Sequence, residues 1–243
     1  MPAFINLLFP RGKTCAWCGR PVDRGLFCPQ CHQELYSWQE KYHPCRYCGR
    51  LLAAGRGAVC RQCREELPPF RRARAVGAYR GILKELIWAF KYQGRRSLAV
   101  PLGQLLAGVV VKELGSARPH LVIPVPLTAA RLQARAFNQA ELLARALGRE
   151  LGLAVSGQAL ARMRETVPQV GLSRRERWQN LAGAFQVQEP ALVKGHRLLL
   201  VDDVMTTGAT AAACTGALLA AGAAVVEVVT LATGIDSIAN ISP

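Results

Sequence analysis

The sequence predicts an α/β protein in two parts: a small cysteine-rich module, then a larger domain built on a mostly parallel sheet. Three observations carry this. Eight of the nine cysteines form four C-x-x-C pairs before residue 64. From residue 75 onward, short apolar runs alternate with segments of helical periodicity, the pattern of a parallel sheet with crossover helices. Near the C-terminus, the run from Leu198 to Thr210 reads as strand, tight turn and helix start in direct succession.

The cysteine module spans residues 1–67. Its pairs are Cys15/Cys18, Cys28/Cys31, Cys45/Cys48 and Cys60/Cys63. Two such knuckles close one tetrahedral zinc site, so eight thiolates predict two structural zinc ions. The module also repeats itself. CAWCGR at 15–20 matches CRYCGR at 45–50, and CPQCHQEL at 28–35 matches CRQCREEL at 60–67. Each repeat carries four cysteines, which favours sequential over interleaved pairing. Disulfides are the competing use, and both the x-x spacing and a reducing cytosol favour metal. Closed four-cysteine sites are structural, so no catalysis is assigned here. His32 follows Cys31, but four cysteines already suffice; His43, His120 and His196 stand alone in the sequence.

Half of the 243 residues are hydrophobic, ample for a core. Lysine plus arginine is 31 against 16 acidic residues, a net charge of +15, and 25 of the 31 are arginine. Eight thiolates and two Zn²⁺ lower that figure to about +11. Such an excess favours polyanions: nucleic acid, phosphorylated ligands or acidic surfaces. Met1 to Pro10 is apolar but too short for a secretory signal and lacks a basic leader. Gly216 to Thr233 is broken by Glu227, so no membrane span is expected and a cytoplasmic location follows.

Pro68 to Arg74 reads as a linker, since paired prolines end regular structure. The second domain runs over 75–234. Ala75 to Tyr79 is a short strand. Ile82, Leu83, Leu86, Ile87 and Phe90 fall at helical spacing, giving a helix over 81–92 that closes on Lys91 and Gly94. A second helix occupies 98–114, with its true start near Pro101. His120 to Val125 is a buried strand. Arg131 to Gln139 leads into a helix through Leu151, which Gly152 ends, and 153–155 is a short strand. Residues 160–182 look irregular and basic, with a short helix from Ser173 marked by a capping box to Glu176. Residues 183–187, 197–202 and 225–231 read as strands, and the tail from Gly234 is expected to fray. Cys214, among alanines, reads as a buried small residue.

Leu198 to Val201 is a fully apolar strand, and Asp202 and Asp203 stand at its end. In an open α/β sheet, ligands bind at the carboxyl ends of strands. The helix that starts at Ala209 offers unpaired N–H groups and a positive dipole end, which suits a phosphate. Thr206, Thr207 and Thr210 add hydroxyl donors, and Gly208 permits close backbone approach. Two carboxylates repel a phosphate but accept from sugar hydroxyls. Together the residues fit a ribose 5-phosphate group. The order of a P-loop is absent.

This run resembles the phosphoribosyl-pyrophosphate (PRPP) motif of type I phosphoribosyltransferases. The resemblance implies that Asp202 and Asp203 hold the ribose, as catalytic and binding residues, and that Thr206, Thr207, Gly208, Ala209 and Thr210 hold the 5-phosphate. Further motifs follow the same order: Tyr79 to Gly94, Val125-Pro-Leu, Arg131-x-x-x-Arg135-x-Phe-Asn-Gln, and Arg164-x-Thr-x-Pro-Gln169. With the cysteine module, the whole chain resembles the ComF family of competence-associated proteins. That resemblance implies a double zinc ribbon followed by a type I phosphoribosyltransferase-like domain, and a link to DNA uptake or processing. Ala136 departs from the glycine usual in the family, which leaves the pyrophosphate site less well defined.

Two kinds of activity follow. One is a PRPP-binding protein that handles single-stranded DNA alongside uptake machinery such as a helicase. Trp17, Tyr36, Trp38, Tyr42 and Tyr47, interleaved with basic residues, are then the candidate stacking rings. The other is an active phosphoribosyltransferase that uses Mg²⁺ with PRPP, transfers the phosphoribosyl group to an unidentified acceptor and releases pyrophosphate. Arg131, Arg135 and Lys91 are then candidates to neutralise the leaving group, and the basic 162–177 stretch a lid.

Overall fold

Parallel strands need a crossover between them, and the chain supplies one after nearly every strand beyond Arg72. The computed structural model describes residues 14–114, 118–164 and 183–236. The cysteine module contributes helix α1 (Pro29–Tyr36), strands β1 (Tyr42–Pro44) and β2 (Leu51–Ala53), and helix α2 (Arg61–Glu65). Then follow β3 (Arg72–Ala78), α3 (Gly81–Tyr92), α4 (Ala99–Glu113), β4 (Leu121–Pro124), α5 (Ala129–Arg135), α6 (Gln139–Leu151) and β5 (Ala154–Val155). The remainder is β6 (Leu160–Arg162), β7 (Phe185–Val187), α7 (Pro190–Val193), β8 (Arg197–Met205), α8 (Ala209–Ala220) and β9 (Val225–Thr233).

The main sheet has the order β3-β9-β8-β4-β5, and every pairing in it is parallel. Alternation along β8 fills both faces. Leu199 and Val201 join the core under α3, α4 and α6. Leu198 and Leu200 join the opposite core, under α8. From β4 the chain moves outward to β5, and from β8 it moves the other way to β9. The switch between these directions lies between β4 and β8, where an open α/β sheet leaves a crevice.

Three elements differ from the sequence reading. The segment read as a linker already belongs to the sheet from Arg72. Its guanidinium pairs with Glu227 at 2.9 Å, directly across the β3–β9 register. That ion pair also accounts for a charged residue buried mid-strand in β9. Residues 160–162, read as irregular, form an antiparallel ribbon with β7 outside the main sheet. The segment leading into α6 is broken into two helices by Ala136, at φ 61°, after which Asn138 caps Ala140. The Ser173 helix and most of the 162–177 stretch lie outside the described residues. So does the tail beyond Asp236. The two residues that precede it are held: Ile235 bridges to Leu51, and Asp236 donates its amide to the Leu51 carbonyl at 2.8 Å.

The cysteine module is not a loose appendage. Cys15, Phe27, Cys28, Cys31 and Leu35 share one continuous core with α3 and α4. The second half covers the edge strand β3: Ala73 donates to the Tyr47 carbonyl at 2.7 Å, and Arg74 reaches the Cys45 and Arg46 carbonyls. The ribbon thus covers the start of this edge strand, one of the ways sheets protect an edge.

Candidate functional site

The two metal centres follow from local geometry. In the first knuckle of each half the backbone folds back, with Gly19 and Gly49 in the left-handed region and their amides donating to the Cys15 and Cys45 carbonyls. The second knuckle of each half feeds directly into a helix, α1 or α2. Cys15, Cys18, Cys28 and Cys31 converge in one group, and Cys45, Cys48, Cys60 and Cys63 in another. Pairing is therefore sequential. Cys18 Sγ lies 3.7 Å from Cys28 Sγ, and Cys48 Sγ 3.6 Å from Cys60 Sγ. A tetrahedral zinc with bonds of about 2.3 Å separates its sulfurs by roughly 3.8 Å, so the residues fit the ion. His32 stacks on Tyr36 at 4.7 Å rather than joining the cluster.

The second centre is the turn after β8. The strand runs to Met205, three residues beyond the sequence estimate, so both carboxylates stand inside it. Gly208 is the N-cap of α8 at φ 78°. A Cβ there would meet only the Met205 sulfur at 3.7 Å and Phe70 at 3.9 Å, ordinary contacts. Glycine is thus required by the backbone angle and not by crowding. The turn encloses a small cavity lined by Asp202, Thr206, Thr207, Gly208, Ala209 and Thr210, together with Thr230 of β9. The first-turn N–H groups of α8 have no partner within the helix. The sequence reading did not include Thr230; its only signal is its place in β9 opposite Asp202.

Adjacent strand residues point to opposite faces, and this separates the two carboxylates. Asp202 lies on the α8 side and lines the cavity. Asp203 turns toward α3, where Lys91 Nζ meets its Oδ2 at 2.8 Å. Lys91 is therefore more than a cation at a helix end: it ties α3 to the strand that carries the site. Burial pushes the Asp202 carboxyl up to about 7; the neighbouring Asp203 charge adds to this, and Lys91 opposes it. Cys214 of α8 is fully buried, and burial followed by the Asp202 charge raises its thiol, so it is an inert packing residue.

The second half of the cysteine module touches this turn. Arg50 Nη2 donates to the Thr206 carbonyl at 2.9 Å, and its Nη1 lies 3.8 Å from Asp236. Leu51 donates to the Gly234 carbonyl at 3.1 Å. Nothing in the sequence spacing placed Arg50, 156 residues away, against the turn.

Comparison with known proteins bears on this arrangement. A double zinc ribbon domain model matches residues 4–64, and a phosphoribosyl transferase domain model matches residues 133–242. The chain is 35% identical over 218 residues to the DNA utilization protein YhgH of Salmonella typhimurium, covering 88% of this chain and 87% of that protein. It is 31% identical to competence protein F of Haemophilus influenzae, covering 84% and 83%. It is 30% identical to competence protein ComFC of Bacillus subtilis, covering 69% and 68%. The chain belongs to the ComF family.

Within this ComF chain, Arg131 and Arg135 do not line the cavity at the turn. They ride on α5, at the carboxyl end of β4, where Asn138 anchors the loop by donating to the Val125 carbonyl at 3.1 Å. Arg131 is exposed. Arg135 lies over the Tyr92 ring at 5.4 Å and donates to Gln139 at 3.3 Å. Ala136 does occupy the left-handed region that a glycine serves, the only non-glycine residue to do so among the described residues. Among the described residues, no helix is long and apolar enough to cross a membrane.

Proposed function

We propose that this chain binds PRPP with Mg²⁺ at the β8–α8 turn and acts in DNA utilization or competence, where it handles single-stranded DNA. The observation that carries the reading is the turn itself. A helix N-terminus, four threonines and a carboxylate surround one small cavity at the carboxyl end of the central strand. The amides of Ala209 and Thr210 with the threonine hydroxyls would hold a 5-phosphate. Asp202 would accept from ribose hydroxyls. Mg²⁺ takes hard oxygen donors, and the Asp202 carboxylate with the bound phosphates supplies them. When bound, the ion would neutralise pyrophosphate charge. Lys91 holds Asp203 in place and keeps positive charge beside the ribose position.

The names of the relatives support the DNA role, and the net charge of +15 suits a polyanionic partner. In this reading the zinc ribbons brace the turn through Arg50, and the phosphoribosyl domain contains it. Turnover to an acceptor is the second reading, favoured by the lysine at 2.8 Å from Asp203. Titration with PRPP–Mg²⁺, followed by a pyrophosphate-release assay across a panel of nucleobases, tests both. Binding without release supports the binding role, release identifies an acceptor, and no binding removes both readings.

A further inference from the structure

The ring residues of the zinc ribbons are poor candidates for stacking on bases. Trp17, Tyr36, Trp38, Tyr42 and Tyr47 are all only partly exposed. Trp17 and Tyr36 pack against the main core, Tyr47 against the second cysteine cluster, and the Trp38 indole nitrogen is buried against Gly77. Arg80 lies over Tyr42 at 5.2 Å as Arg135 lies over Tyr92 at 5.4 Å, but Tyr42 is the less exposed ring of the two. Among the described residues, the large aromatics that stand clear of the surface lie elsewhere: Tyr79 (41% exposed), Trp88 (50%) and Tyr92 (61%).

These three fall within 14 residues on β3's end and α3, and the helix pattern explains why. Ile82, Leu83, Leu86, Ile87, Ala89 and Phe90 fill the buried face. Trp88 and Tyr92, four residues apart, are therefore neighbours on the outer face, with ring centroids 6.2 Å apart. Two adjoining exposed rings, unlike a single one, are the kind of surface that marks an interaction site. The surroundings say what. Between Tyr79 and Arg96 the sequence holds Arg80, Lys84, Arg95 and Arg96 against the single acid Glu85, with Lys91 turned inward to Asp203. Arg135 comes in from α5 over Tyr92, and Arg96 lies over Phe137 at 4.6 Å. An apolar protein partner does not call for this much positive charge. A chain of flat bases joined by phosphates does.

We propose that Trp88 and Tyr92 form the base-stacking platform for single-stranded nucleic acid, with Arg95, Arg96 and Arg135 taking the phosphates. This rests on the DNA-handling reading above and moves its contact surface from the zinc ribbons to α3. The platform adjoins the proposed PRPP site, because Lys91, in the same helical turn as Tyr92, points inward to Asp203. Duplex DNA keeps its bases stacked and cannot use the rings.

The test uses the full zinc-loaded chain and a fluorescein-labelled oligo(dT), read by anisotropy at two salt concentrations. Trp88→Ala with Tyr92→Ala should weaken binding at least tenfold, since each stacked ring contributes roughly fivefold or more and two are removed. Tyr92→Phe should retain affinity, because it keeps the ring. Both side chains are exposed, so the fold should hold, and an unchanged melting temperature checks this. Unchanged affinity in the double alanine variant, with the wild type binding, overturns the platform and leaves the DNA-handling reading standing. So does equal binding of duplex and single strand, which marks a purely electrostatic contact. No oligonucleotide binding by the wild type removes the DNA-handling reading itself, and the platform with it.

Discussion

Replacing Ala136 by glycine should stabilise the protein. Ala136 sits at φ 61° and ψ 0°, between α5 and α6. A left-handed angle brings an L-residue's Cβ against its own carbonyl, at a cost of about 1–2 kcal/mol. Glycine removes that cost but gives the unfolded chain more freedom, which returns roughly 0.4–1 kcal/mol. The net gain is about 0.5–1 kcal/mol. For a chain of this size, 1 kcal/mol moves the melting temperature by about 2–4 °C. A thermal scan of the zinc-loaded Ala136→Gly variant should therefore melt slightly above the wild type. Ala136→Val places a branched side chain at the same angle and should melt below it. A glycine variant at or below the wild type, or a valine variant that melts with it, would refute the strain at this position.

Three further outcomes are expected. Metal analysis should find two zinc ions per chain, and a ratio near zero with disulfides present would contradict the clusters; because the first cluster shares the main core, chelation should lower the melting temperature of the whole chain and not of a detached module. Arg50→Ala should weaken PRPP–Mg²⁺ binding by about 1 kcal/mol, roughly fivefold, with zinc content unchanged; calorimetry should show no effect from the exposed Arg46→Ala, and equal effects would mean that charge alone is at work. The Asp202 carboxyl, raised to about 7 mainly by burial, sets a pH dependence: its unfolded form ionises near 3.8, so its favourable contribution is full below that pH and is lost as pH rises through about 7. Across that window Asp202→Asn should flatten the fall in stability, while wild-type PRPP–Mg²⁺ affinity should rise as Asp202 ionises. A pH-independent affinity between 6 and 8 counts against Asp202 as the ribose acceptor.

Local chemistry made much of the architecture legible. The C-x-x-C repeats gave two sequential clusters because each knuckle is a short-range device. The apolar run at 198–201 gave the central strand, and the helix over 81–92 followed from its spacing. What escaped depends on distant partners. Arg72 and Arg74 looked like linker residues because Glu227 and Glu113, their ion-pair partners, are far away in the sequence. Arg50 meets the phosphate turn only after the ribbon docks on β3. Asp202 and Asp203 looked equivalent as neighbours, yet strand alternation sends one to α8 and the other to Lys91. Trp17, Tyr36 and Trp38 looked like stacking rings because much of the core they pack on, and Gly77 under Trp38, come from the other domain.

Calorimetric titration of the zinc-loaded chain with PRPP and Mg²⁺ tests the central claim most directly. The wild type should bind one equivalent. Asp202→Asn should weaken binding without lowering the melting temperature. Gly208→Val should abolish it by denying the turn its φ of 78°. Wild-type silence under these conditions, or equal affinity in all three proteins, would contradict a phosphoribosyl site at the β8–α8 turn.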